Sequence, residues 1–195
     1  MFIIQLPRRI ISIAVFVLVF AALVGCAPAP TATPEVYQRI SEGTLNAGDA
    51  IPEPTEDVVL TVTGNIGTTN SGESIEMDMP TIESVGLVDL SVHDPFDDKD
   101  VTFEGVLMSD LLALWKVADD ATNLEMIALN DYVVNVPISD IRSYPVIYAI
   151  KADGVYMPVS TRGPAMLVYP YGHIDFDEQI YNDRWIWQIK SINVQ

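Results

Sequence analysis

The sequence predicts an α+β domain: one folding unit of mixed β-sheets with a few short helices, carried behind an export signal. Three observations lead there. From Val58 onward, short β-branched or alternating runs recur with turn residues between them. Helical spacing is confined to brief stretches, which argues against an alternating doubly wound fold. Ahead of Val58 the chain is an apolar run followed by Pro/Ala/Thr-rich sequence.

Residues 1–25 read as a lipoprotein signal peptide. Arg8 and Arg9 precede the apolar stretch Ile10–Val24, which ends in Leu23-Val24-Gly25-Cys26. As a helix that stretch would be about 22 Å long, short of the roughly 30 Å bilayer core. The alternative is a signal anchor that stays uncut; a small residue directly before cysteine favours processing. Cys26 is then the lipidation site, and each buried acyl methylene contributes about 0.8 kcal/mol, so several chains anchor the protein to the membrane. The expected location is the cell envelope, on an exported, membrane-anchored lipoprotein. Cys26 is the only cysteine, so no disulfide forms and the mature chain has no free thiol.

Residues 26–56 are expected to be a tether. Ala27–Pro34 favours extended polyproline conformations, spanning about 25 Å at 3.1 Å per residue. Pro34–Glu42 suggests two helical turns, capped by Thr33 and stopped at Gly43. Asn46–Asp57, with Pro52 and Pro54, reads as loop.

Residues 57–195 hold the globular domain, long enough to bury about two-thirds of its unfolded surface. Val58–Thr63 is a β-branched strand ending at Gly64, and Ile75, Met77 and Met79 alternate with polar residues as a second. Pro80–Val85 forms a short helix closed by Gly86, and Leu87–Val92 a strand. Ser109 is a helix cap for Leu111, Leu112, Leu114, Trp115 and Ala118. Met126–Leu129 and Val133–Val136 are strands on either side of Asn130-Asp131-Tyr132. Ser139 caps a single turn through Ser143. Val146–Ile150 and Val155–Val159 flank Asp153-Gly154, a strong hairpin signal. Leu167–Tyr169 and Trp185–Val194 complete the strands.

The formal charge of −17 becomes −19 once residues 1–25 are removed, because they hold two arginines and no acid. Such a chain is repelled by phosphate backbones, so no nucleic-acid partner is expected. His93 and His173 are the only histidines, and no zinc-protease, nucleophile-elbow or phosphate-loop motif occurs. Asp94, Asp97, Asp98 and Asp100 read as a solvated acidic loop, since they lack the order of a calcium loop. Tyr132, Tyr144, Tyr148, Tyr156, Tyr169, Tyr171, Trp185 and Trp187 are mostly core, with Tyr169 and Tyr171 beside Pro170 where a pocket can open. Cations are scarce, so Arg162 and Arg184 stand out as residues that either hold an anion or pair with an acid.

Four segments, read in order, carry a family resemblance. Phe103-Glu104-Gly105-Val106-Leu107 runs into Asp110-Leu111-Leu112. Ala128-Leu129-Asn130-Asp131-Tyr132 is followed by Val136-Pro137. Gly163-Pro164 precedes Leu167-Val168-Tyr169-Pro170, and Arg184-Trp185-Ile186-Trp187-Gln188 leads to Ile192 and Val194. This order resembles the oxidoreductase molybdopterin-binding domain of the sulfite-oxidase type, over roughly Val58 to Val194. In catalytic members of that family a cysteine thiolate ligates molybdenum ahead of the F-x-G-V segment. The matching stretch here, Gly86–Pro95, holds Ser91, His93 and Asp94 but no cysteine. Those members also carry an arginine shortly after the G-x-P segment, where this chain has Met166, whereas Arg184-Trp185 matches.

The resemblance therefore implies the fold without the oxotransferase chemistry. The expected function is binding of a small ligand or an envelope partner, with no cofactor required. The pocket would be lined by Ser91, His93, Asn130, Asp131, Tyr132, Arg162, Arg184 and Trp185. Two alternatives stand beside it. One is a molybdopterin-dependent oxidoreductase whose metal is held by the dithiolene alone, or with an oxygen or nitrogen ligand such as Ser91 or His93. The other is a structural or accessory lipoprotein.

Overall fold

Two sheets take up the alternating runs of the chain. The computed structural model describes residues 36–174 and 177–195, without the side chains of residues 178 and 179. Its strands are β1 Gln38–Arg39, β2 Leu60–Gly64, β3 Ile75–Met77, β4 Val88–Asp94, β5 Lys99–Leu107, β6 Asn123–Ala128, β7 Val133–Pro137, β8 Ile147–Ala152, β9 Val155–Tyr156, β10 Met166–Val168 and β11 Ile189–Val194. The first sheet runs β1-β4-β5-β8-β10, with β9 paired to β8; the second runs β3-β2-β11-β6-β7. Pairing is antiparallel except between β11 and β2, which are parallel. Short helices α1 Met79–Glu83, α2 Met108–Leu114, α3 Ile138–Ser143 and α4 Glu178–Tyr181 interrupt the strands, and a 3-10 turn follows at Asn182–Arg184. This is the single α+β domain of mixed sheets that the sequence predicts. The expected signal peptide, Cys26 and residues 27–35 of the expected tether lie outside the described residues.

Both sheets feed one core. Leu60, Val62, Leu124, Met126 and Ile192 come from the second sheet, Leu90, Phe103 and Ile147 from the first, and Leu111 and Trp115 from the α2 region. Along β4 burial alternates, so Val88, Leu90, Val92 and Asp94 face inward while Ser91 and His93 face water. In β8, four successive residues from Ile147 to Ile150 are buried, the continuous run of a strand covered on both faces. β5 and β8 approach so closely at Gly105 that an added Cβ would lie 2.2 Å from the Tyr148 carbonyl oxygen. The β8–β9 turn has positive φ at Asp153 and Gly154, 50° and 79°, as a two-residue primed hairpin turn demands.

Several local expectations are corrected. Of the expected helix at Pro34–Glu42, residues 36–42 are not helical, and Gln38 and Arg39 pair with Asp89 and Val88 as an edge strand; residues 34 and 35 lie outside the described residues. Leu45 and Ile51, inside the segment expected to be tether, join the core. Met79 opens α1 rather than closing β3. Asp78 is its N-cap, accepting from the Thr81 N–H at 3.0 Å and from the Thr81 hydroxyl. Neither Ser109 nor Ser139 is a cap; Leu107 and Pro137 occupy those positions without a side-chain bond. β5 was hidden in sequence behind the acidic run. Trp185–Gln188 is not strand but a loop, tied to β10 through the Met166–Trp187 bridge and the Leu167 N–H, which donates to the Ile186 carbonyl at 3.0 Å.

Asp78 also fastens the chain ahead of β2. Its second carboxylate oxygen accepts from the N–H groups of Thr55 at 2.7 Å and Glu56 at 3.0 Å. Burial opposes the charge, but these bonds and those from Thr81 more than offset it and hold the carboxyl far below the usual carboxylate range.

Candidate functional site

The sequence-predicted site residues fall into three places. Ser91 and His93 share the exposed face of β4. The Ser91 hydroxyl bonds Thr102 Oγ1 at 2.8 Å, and His173 Nε2 donates to the Ser91 carbonyl at 2.7 Å. His93 lies between two carboxylates, Nδ1 at 3.1 Å from Asp100 and Nε2 at 3.3 Å from Asp98. Its bond to Asp100 raises its pKa most; desolvation opposes this, and the bond to Asp98 with the charges of both acids keeps the net shift upward.

Arg162 and Arg184 form the second group, and each is held by a buried acid. Asp94, fully buried at the end of β4, accepts from the N–H groups of Phe96 and Asp97 and pairs with Arg162. Arg162 also reaches Asp97 at 3.0 Å and lies 4.6 Å above the Trp187 ring. So Asp94 is not part of a solvated loop; the rest of the acidic cluster is. Arg184 pairs with buried Asp140 of α3, which also accepts from the Tyr169 hydroxyl at 2.9 Å, and it lies 4.7 Å above the Tyr181 ring. Burial, together with the Asp140 charge, pushes the Tyr169 hydroxyl far above its ordinary pKa.

The third group is a cleft of about 290 Å³ between the β6–β7 turn and the Asn182–Gln188 segment. It brings Asn130, Tyr132 and Trp185 together with Phe96, Asn182, Asp183, Trp187 and Gln188. Neither Ser91, His93, Arg162 nor Arg184 lines it. Asp131 sits at the turn with φ 64° and points its charge at Lys190, whose hydrogen bond lowers the carboxyl pKa. Trp185 is held edge-on and face-on at once: its ring stacks on Tyr171 at 5.2 Å and meets Phe103 edge-on at 6.3 Å. Phe96 meets Trp187 edge-on at 5.1 Å. The buried indole nitrogens of Trp185 and Trp187 have no hydrogen-bond partner.

Sequence reading missed Phe96, Asn182, Asp183 and Gln188 as cleft residues. The signal for Phe96 was an aromatic stranded in an acidic loop. For the others only the Arg184–Gln188 motif pointed at the right segment. A second cavity, of about 280 Å³, lies beside Arg162 between Phe103, Ala152 and the β9 region.

No family model and no curated protein matches the chain. Among solved structures, the sulfane dehydrogenase SoxCD from Paracoccus pantotrophus is similar over 74% of this chain and 40% of that one, with 15% identity and a TM-score of 0.54. This chain thus spans well under half of that enzyme chain. The likeness shows the fold, the sulfite-oxidase-type arrangement that the sequence segments resemble.

The donor set does not fit the molybdenum–pterin group that the resemblance implies. Where a thiolate would stand, the Ser91 hydroxyl is engaged by Thr102, His93 by two carboxylates, and Asp94 is closed off under Arg162. The arginines that could meet a pterin phosphate are already paired with Asp94 and Asp140. The chain therefore has the sulfite-oxidase-type fold with these side chains at the matching positions.

Proposed function

We propose that this chain is a lipid-anchored envelope protein whose sulfite-oxidase-type domain binds a small uncharged ligand rather than catalysing oxotransfer. The observation that carries the reading is the division of labour between cations and cleft. Arg162 and Arg184 are spent on buried carboxylates, whereas the cleft is lined by aromatic rings and side-chain amides with no cation. Aromatic walls with a few convergent polar groups are the usual make-up of a small-ligand site. Cys26 supplies the anchor and Ala27–Pro34 the spacer.

The fold likeness to a sulfane dehydrogenase favours one second reading, an oxidoreductase with Ser91 or His93 as metal ligand. One preparation separates the two: the full chain made in a host that synthesises the molybdenum cofactor, assayed for molybdenum and for fluorescent oxidised pterin. Neither is expected at stoichiometric level. Stoichiometric molybdenum, lost on Ser91→Ala or His93→Ala, would replace the binding reading with the catalytic one. Anchoring is tested by Cys26→Ala, which should move the protein from the membrane fraction to the soluble one.

A further inference from the structure

We infer that the cleft beneath the β6–β7 turn takes a neutral saccharide ring, stacked on its aromatic side chains and hydrogen-bonded by its amides. This rests on the reading of the cleft as a ligand site and names the class of ligand.

The aromatic surface comes first. Phe96 and Tyr132 are 44% and 56% exposed, large rings left in water in the lining of one cavity. The C–H face of a sugar is the part of a polar ligand that can cover such rings, since it is apolar while its rim is hydroxylated.

The polar rim is arranged to match. The Asn130 Oδ1 accepts from the Tyr132 N–H at 3.1 Å, and the Asn182 Oδ1 accepts from the Tyr171 hydroxyl at 2.9 Å. Gln188 donates through Nε2 to the Val159 carbonyl at 2.6 Å and the Thr161 carbonyl at 3.2 Å. Each amide is thus fixed by one end and offers the other. Two amide NH₂ groups remain as donors, and the Gln188 carbonyl and the Asp183 carboxylate remain as acceptors. Donors and acceptors held in place before binding cut the ordering cost, and hydroxyl groups can satisfy both kinds.

Charge and size narrow the class. The only charged lining residue is Asp183, in a chain of net charge −17, so anions are repelled. An alkylammonium would leave the amide donors unpaired. It would also meet Trp187 with the Arg162 guanidinium already on its ring. A cavity of about 290 Å³ is at the small end for ligand sites, suited to one sugar unit of a longer chain.

The three tryptophans make the test direct, because Trp185 and Trp187 line the cleft while Trp115 is fully buried in the core. The ¹⁵N-labelled full chain, in octyl tetraoxyethylene micelles, would be titrated with cellotriose, chitotriose and choline chloride while the indole N–H signals are followed. The expected result is that at least one trisaccharide shifts the Trp185 and Trp187 signals and leaves Trp115 in place. Tyr132→Ala and Asn182→Ala should each weaken that binding tenfold or more, with the Trp115 signal unchanged as the check on folding. Shifts with choline alone would overturn the saccharide assignment and leave the cleft a ligand site. No shift with any of the three would overturn both the assignment and the binding reading of this cleft.

Discussion

Replacing Arg162 with methionine should cost the domain stability far more than it costs ligand binding. Asp94 is completely buried and Arg162 is 14% exposed, so the substitution leaves a carboxylate in the interior without its counter-charge. Breaking such a pair from one side costs about 3–5 kcal/mol. The N–H groups of Phe96 and Asp97, at 2.9 and 3.3 Å, still serve Asp94 and move the expectation to the lower end, about 3 kcal/mol. That is a large share of the roughly 5–15 kcal/mol that holds a domain together. At a urea dependence of about 2 kcal/mol per molar, the unfolding midpoint falls by about 1.5 M. The assay is urea unfolding of residues 34–195, read by far-ultraviolet circular dichroism. Asp94→Asn combined with Arg162→Met should be much less destabilised than the sum of the single changes, since the second change removes the charge the first one strands. A loss below about 1 kcal/mol for Arg162→Met is what an exposed pair gives. Coupled with lost ligand binding, it would show that Arg162 serves the ligand and not Asp94.

Other changes should report on other parts of the argument. Asp78→Ala removes the α1 cap and strands the Thr55 and Glu56 N–H groups, so unfolding measurements should show a loss of about 2–4 kcal/mol. Because the folded Asp78 pKa is depressed, its stabilisation is complete above the ordinary value near 3.9 and fades as pH falls below that; Asp78→Asn should flatten the acid limb of the stability curve. Gly105→Ala places a methyl against the Tyr148 backbone and should cost about 1–3 kcal/mol, with amide exchange quickening in β5 and β8 first. The His93 imidazole should titrate above the ordinary 6.5 by NMR, and Asp100→Asn should bring it back toward that value. Its contribution to stability is present below pH 6.5 and disappears as pH rises through the elevated folded value.

What the chain announces about itself is mostly what a short window can hold. The β8–β9 hairpin is legible because Asp-Gly satisfies two positive φ angles in adjacent residues. β6 and β7 are legible because β-branched and apolar positions bracket a polar turn. β5 was overlooked although Val101, Phe103 and Leu107 alternate within it, because the acids from Asp94 to Asp100 dominate the window and Gly105 breaks the apolar series. β1 is too short to show a period, and its identity depends on partners about fifty residues away. The site was half legible for the same reason. Asn130, Tyr132 and Trp185 were named from motif positions, and the fold brings them together. The pairings that reassign Arg162 and Arg184 span 68 and 44 residues, a separation over which spacing conveys nothing.

β11 is the last strand in chain order among the described residues, yet it lies in the interior of its sheet, parallel to β2 on one side and antiparallel to β6 on the other. While the chain is still being synthesised, β2 and β6 are two half-ladders facing a gap that no earlier segment fills. Their backbone groups stay solvated, and Leu60, Val62, Leu124 and Met126 lack the wall that Ile189, Ile192 and Val194 later provide. The second sheet is thus closed by β11, and a chain lacking that strand keeps an open seam through it. This ordering is a built-in delay: closure of the second sheet waits until β11 has been made.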